Sequence, residues 1–184
     1  MKSKKFAGFT LGLFFRLFMT DLGCFVLTLF AGTISQNRYV RVGAQIICFV
    51  ALISIIYSYC YKAGELVAPL AKSGHRKYNP YKGLVAGLIA DIPFLFSGIA
   101  LVVGKAFGIL ENFVGYYKLI NAFFAPLNNI LLTSDLSLAE YSWADTIISV
   151  SMLLIVPILC MLSYYLGLEQ FSFTEKLFYK KLEK

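Results

Sequence analysis

Charge is what this sequence has least of. Only 15% of its 184 residues are Asp, Glu, Lys or Arg, where a soluble domain carries about a quarter, and so few cannot coat a water-facing surface. Histidine occurs once and tryptophan once. The four cysteines, Cys24, Cys48, Cys60 and Cys160, form no C-x-x-C pair and have no His at ligand spacing, so no metal centre is expected. They read as small buried apolar residues. G-x-S-x-G, H-E-x-x-H and phosphate-cradling glycine loops are all missing, which removes the usual signatures of hydrolases, metalloproteases and nucleotide enzymes. No catalytic residue and no cofactor is expected, and the chain reads as a non-enzyme.

What the sequence has in abundance is apolar length. It is 59% hydrophobic with a mean hydropathy of +0.72, and its apolar residues fall in long blocks. Four blocks, at about 14–34, 42–61, 84–107 and 143–167, each approach or exceed the ~20 residues that cross a ~30 Å hydrocarbon core. The expected fold is all-α, a single polytopic membrane domain over 1–184 with four transmembrane helices. Lys2, Lys4 and Lys5 precede the first block in the manner of a signal peptide. That block runs on past Arg16 and Asp21 without an evident cleavage site, so it reads as a retained span.

The basic residues orient these spans. Lys2, Lys4 and Lys5 lie in the N-terminal tail. Lys62, Lys72, Arg76, Lys77 and Lys82 lie between spans two and three, and Lys176, Lys180, Lys181 and Lys184 in the C-terminal tail. Only Arg38, Arg41, Lys105 and Lys118 fall on the other side. The positive-inside bias then puts both termini in the cytoplasm of a bacterial cell, with the protein multi-pass in the cell membrane. The net charge of +7 is accounted for by these flanks, and no nucleic-acid partner is expected. Trp143 and the tyrosines at 57, 59, 61, 78 and 81 suit the headgroup level.

Two further helices are expected along the membrane surface. Residues 108–125 place Leu110, Phe113, Val114, Tyr117, Ile120 and Phe124 on one helical face, an outer interfacial amphipathic helix stopped by Pro126. A shallow re-entrant hairpin reaching Leu132 is the alternative. At the C-terminus Ser172 and Glu175 are spaced as a capping box, and a short basic cytoplasmic helix is expected to follow.

Three ionisable residues break the apolar rule: Arg16 and Asp21 in the first span and Asp91 in the third. Such groups are costly in a bilayer and face the bundle interior or a cavity. The expected arrangement pairs Arg16 with Asp91 across helices, with Asp21 as the second acid. Two roles stay open, a salt bridge that registers two helices and a proton, cation or substrate site. Pro93, two residues after Asp91, and Pro157 in the fourth span are expected to kink their helices. Gly83 and Gly87 are spaced for close helix packing. Arg76, Lys77, Tyr78 and Lys82, around the lone His75, are expected to contact anionic lipid or a partner's acidic surface.

The stretches Tyr81-Lys82-Gly83 to Ile92-Pro93-Phe94, Tyr117 to Leu127, Tyr165-Leu166-Gly167 and Phe171 to Leu177 resemble small four-span membrane proteins of clostridial bacteria. The resemblance covers about the last hundred residues and implies a four-span fold. It carries no functional residue with it. The leading expectation is therefore a small non-enzymatic subunit or scaffold in a larger membrane assembly, partnered by lipid and by another membrane protein or a second copy. The alternative is a small-solute or ion transporter or channel using Arg16, Asp21 and Asp91.

Overall fold

A computed structural model describes residues 3–34, 37–74, 79–132 and 137–171. Every regular element among them is helical. The chain opens with α1 (Ser3–Ile34) and α2 (Arg38–Glu65), which form a long hairpin. A short α3 (Ala68–Lys72) follows, then α4 (Lys82–Ala90) and α5 (Ile92–Phe107). Two short helices, α6 (Phe113–Ile120) and α7 (Ala125–Leu131), flank a 3-10 turn at Ala122–Phe124. The last pair, α8 (Trp143–Ser151) and α9 (Ile155–Leu168), is joined by a 3-10 turn at Met152–Leu154.

Three segments are long and apolar enough to cross a membrane: α1, α2, and α8 with α9. The pair α4–α5 makes a fourth if counted as one span. That pair bends by 60° between Ala90 and Ile92, next to Pro93. Asp91 closes α4 and opens α5. Pro93 sits in the first turn of α5 and has no N–H to give the carbonyl of Ile89, so the helical ladder is interrupted there. Pro157 lies just after the 3-10 turn of the fourth segment and is buried.

The segment expected as one surface helix over 108–125 is instead broken twice and folds into the bundle. Gly108, at φ 65°, ends α5 in the left-handed region that suits glycine. Asn121, at φ −122° and ψ 45°, ends α6. Pro126 stands in the first turn of α7, where a missing N–H costs nothing. The apolar face identified in the sequence exists, but it meets protein. Tyr117, Phe123 and Phe124 are wholly buried, Phe123 edge-on to Phe94 and Phe124 against Phe49.

Glycines set how closely the long helices approach. A Cβ on Gly64 would run into the backbone of Tyr164 in α9, and one on Gly167 into the backbone of Tyr61 in α2. On the next helix pair, a Cβ on Gly83 would meet Cys160, and one on Gly87 the Cα of Pro157 at 2.8 Å. Thus α9 is clasped between α2 and α4 at backbone distance. Leu13, Leu17, Leu52, Ile56, Leu101, Leu153 and Val156 fill the centre.

Candidate functional site

The three ionisable residues of the apolar blocks, Arg16, Asp21 and Asp91, do not form one cluster. Arg16 donates from Nη1 to the carbonyl of Gly12, 3.0 Å away on its own helix. Its guanidinium carbon lies 4.0 Å from the ring centre of Tyr59, and the residue is exposed. Tyr59 in turn stacks on Phe9 and donates its hydroxyl to the Phe9 carbonyl, 3.2 Å away. A Cβ on Gly12 would meet the Tyr59 hydroxyl, which would have to shift to make room. The expected Arg16–Asp91 pair is therefore not made. Five residues further along α1, Asp21 turns to another face and accepts the Phe123 N–H at 3.4 Å, holding the 3-10 turn against the helix.

Asp91 is completely buried at the α4–α5 bend. Neither of its carboxylate oxygens has a hydrogen-bond partner. An apolar cavity of about 630 Å³ between α1 and the bend is lined by its neighbours Ala90, Ile92 and Pro93, with Phe6, Leu11 and Phe14 opposite. The carboxyl itself points into packed protein instead of this space.

On the far side of the bend runs a polar seam that links α5, α6 and α8. Ser97 donates to the Phe94 carbonyl at 2.6 Å and accepts from Asn121 Nδ2 at 2.9 Å. The same Asn121 nitrogen reaches the Tyr117 carbonyl at 2.9 Å, and the Tyr117 hydroxyl donates to the Ser149 carbonyl at 2.9 Å. Asn128, on α7, is buried with both ends of its amide unpartnered. The sequence reading missed Ser97, Asn121 and Ser149 as a set. Their one signal was the presence of three asparagines, Asn121, Asn128 and Asn129, on either side of Pro126 in an otherwise apolar run.

No family model, curated protein or solved structure matches the chain. The chemistry must therefore be argued from these groups alone. No set of three or more His, Cys, Asp or Glu side chains suited to a metal ion occurs among the described residues. The cysteines are buried and free. Cys48 faces the Cys24 carbonyl at 3.8 Å, and Cys60 and Cys160 face each other between α2 and α9.

Lys105, read from the sequence as an outer basic residue, is tied down. Its ammonium donates to the Leu138 carbonyl at 3.2 Å and to the Tyr141 carbonyl, and lies 5.3 Å from the Trp143 ring. It fastens the 137–141 turn to the end of α5. Gly83 and Gly87 line the α4–α9 contact described above, and Lys82 begins α4 half-buried. Arg76, Lys77 and Tyr78, and the helix expected after Ser172, lie outside the described residues.

Proposed function

We propose that this chain is a small non-enzymatic subunit of a larger membrane assembly, and that the α1–α2 hairpin is its assembly surface. One observation carries this reading. At 32 and 28 residues, α1 and α2 run about 48 and 42 Å at 1.5 Å per residue, well beyond a ~30 Å hydrocarbon core. Yet α1 stays apolar to the turn, where Leu29 and Phe30 are exposed, and α2 exposes Val40 and Val42 just past it, beside Arg41. Only 28% and 22% of their most apolar stretches are buried within the chain, against 39% for α8–α9. Lipid covers the middle of such a hairpin. Its far end needs either a tilt or a protein neighbour.

In this reading the four segments span a bacterial cell membrane with both termini in the cytoplasm, as the basic flanks favour. The resemblance to small clostridial membrane proteins fits the same setting. Native mass spectrometry after mild extraction from the host at endogenous expression is the test. A reproducible complex with another protein or a second copy is expected. Cross-linking to that neighbour from a photoreactive residue at position 29 or 42 should be stronger than from one at position 96, an exposed site on α5. A lone monomer with no cross-link from any of the three positions would overturn the proposal.

A second reading, transport of a proton or small cation, is favoured by one feature: a buried carboxyl with no partner at a broken span. Half-helix termini beside an ionisable group recur in transporter sites. It predicts that Asp91→Asn in proteoliposomes abolishes any ion flux the wild type shows while leaving thermal stability unchanged. Equal flux in both would end it.

A further inference from the structure

At one end of the bundle, the start of α1, the end of α2 with α3, the start of α4 and the end of α9 enclose an open cavity of about 620 Å³. Its walls are apolar, with Phe9, Leu66 and Leu70 among them. Three cations reach it from three different elements: Arg16 from α1, Lys62 from α2 and Lys82 from α4. Among the described residues, no Asp or Glu lines it. Arg16 is anchored over Tyr59 and to the Gly12 carbonyl through Nη1, which leaves its other donors available. Lys62 lies three residues beyond Tyr59, almost one helical turn further toward the end of α2. The cations are therefore stepped along the cavity wall, with the two lysines toward the helix ends and the guanidinium deeper.

We infer that this cavity binds an anionic phospholipid, independently of which neighbour covers the α1–α2 hairpin. The two lysines, one from α2 and one from α4, suit the single negative charge of a phosphodiester headgroup. Arg16, one step deeper, is placed for the remaining phosphate or glycerol-ester oxygens, since a guanidinium presents several donors in a fixed fork. The apolar wall beyond takes the first part of an acyl chain. The cavity lies alongside spans, so a bilayer lipid enters it sideways without leaving the membrane. Basic pockets between membrane helices are the usual way in which anionic headgroups are selected. A membrane arginine without an acidic partner is also more cheaply kept beside a phosphate than in hydrocarbon. A soluble anion would gain the charge contacts but leave the apolar wall wet.

The full chain, exchanged into a neutral detergent free of phospholipid, is titrated with dioleoyl phosphatidylglycerol, dioleoyl phosphatidylcholine or sodium phosphate. Bound adducts are counted by native mass spectrometry. The expected result is about ten-fold higher occupancy by phosphatidylglycerol than by phosphatidylcholine at equal concentration, with no adduct and no competition from millimolar phosphate. That ratio should fall toward one in the Lys62→Gln/Lys82→Gln variant and be recovered by Lys62→Arg/Lys82→Arg. Both lysines are surface residues or half-buried, so folding is checked by thermal unfolding beside the wild type. Equal occupancy by the two lipids in the wild type would overturn the inference, whatever the variants do. So would a preference that survives loss of both lysines, or displacement of the lipid by phosphate alone.

Discussion

Gly64 and Gly167 show how much a single hydrogen in place of a methyl decides here. Each sits where a Cβ would fall on the backbone of the opposite helix, and backbone cannot step aside as a flexible side chain can. Gly64→Ala and Gly167→Ala should each lower stability by about 1–3 kcal/mol, the usual cost of overpacking. Thermal unfolding in detergent would read this as a fall of several degrees. Gly115 has open space around its Cβ position and lies in α6, so Gly115→Ala should be neutral or slightly stabilising through helix propensity. If all three behaved alike, the α2–α9 contact would not be the close one described. Neither Gly64 nor Gly167 belonged to a G-x-x-x-G pair, which is why the spacing search passed over them. Close approach needs a small residue on each of two helices, and nothing in one helix's sequence reports its partner.

Arg16 belongs to the same scale. Sequence reasoning singled it out as a cation inside the first apolar block and paired it with Asp91 across helices, with Asp21 as the second acid. The structure gives it a ring and a carbonyl instead. Both of those interactions come from neighbours too common in this sequence to stand out, a tyrosine among twelve and a backbone oxygen.

The elements that matter most at the next scale are the broken ones. Residues 108–125 have a genuine 3.6-residue apolar period, and a sequence window cannot tell whether such a face meets lipid or protein. Asn121 decides the matter by ending α6 and bridging Ser97 and the Tyr117 carbonyl. Asn121→Ala should remove that bridge at a cost of about 0.5–1.5 kcal/mol per bond lost. The Tyr117 carbonyl keeps the backbone N–H of residue 121, and the Ser97 hydroxyl keeps the Phe94 carbonyl. Hydrogen–deuterium exchange should localise the effect, with faster exchange over 113–131 and little change in α2 or α9. Uniform acceleration across the chain would mean that the seam holds the whole bundle instead of this insert. The bend at Asp91 is a different case. Pro93 made a kink expected, but its 60° angle depends on what α4 and α5 separately pack against: α9 through Gly83 and Gly87 for one, the α6 insert and α8 for the other.

For the molecule as a whole, the structure offers clean reporters of orientation in a membrane. All four native cysteines are buried, so they should stay silent toward a bulky, membrane-impermeant maleimide. Glu140 and Ser73 are exposed in turns at opposite ends of the bundle. In intact cells Glu140→Cys should label and Ser73→Cys should not, with Ser73→Cys labelling only once the membrane is opened. The reverse pattern would turn the protein over and remove the cytoplasmic assignment of the termini.

That this chain carries helices long and apolar enough to cross a membrane was legible without any contact. Charge too sparse for a water-facing surface, and apolar blocks of bilayer length, follow from composition and run length, which need no knowledge of contacts. The helical class follows as well, because backbone N–H and C=O groups in hydrocarbon must be satisfied within their own segment. Tertiary structure alone decided where the exceptions go. It set Arg16 on Tyr59, Asp21 on the Phe123 amide and Asp91 at a bend without a partner. It also brought Arg16, Lys62 and Lys82, distant in sequence, around one cavity. Each of those outcomes depends on which faces of different helices meet. A one-dimensional pattern records the period of a face and leaves its neighbour unstated.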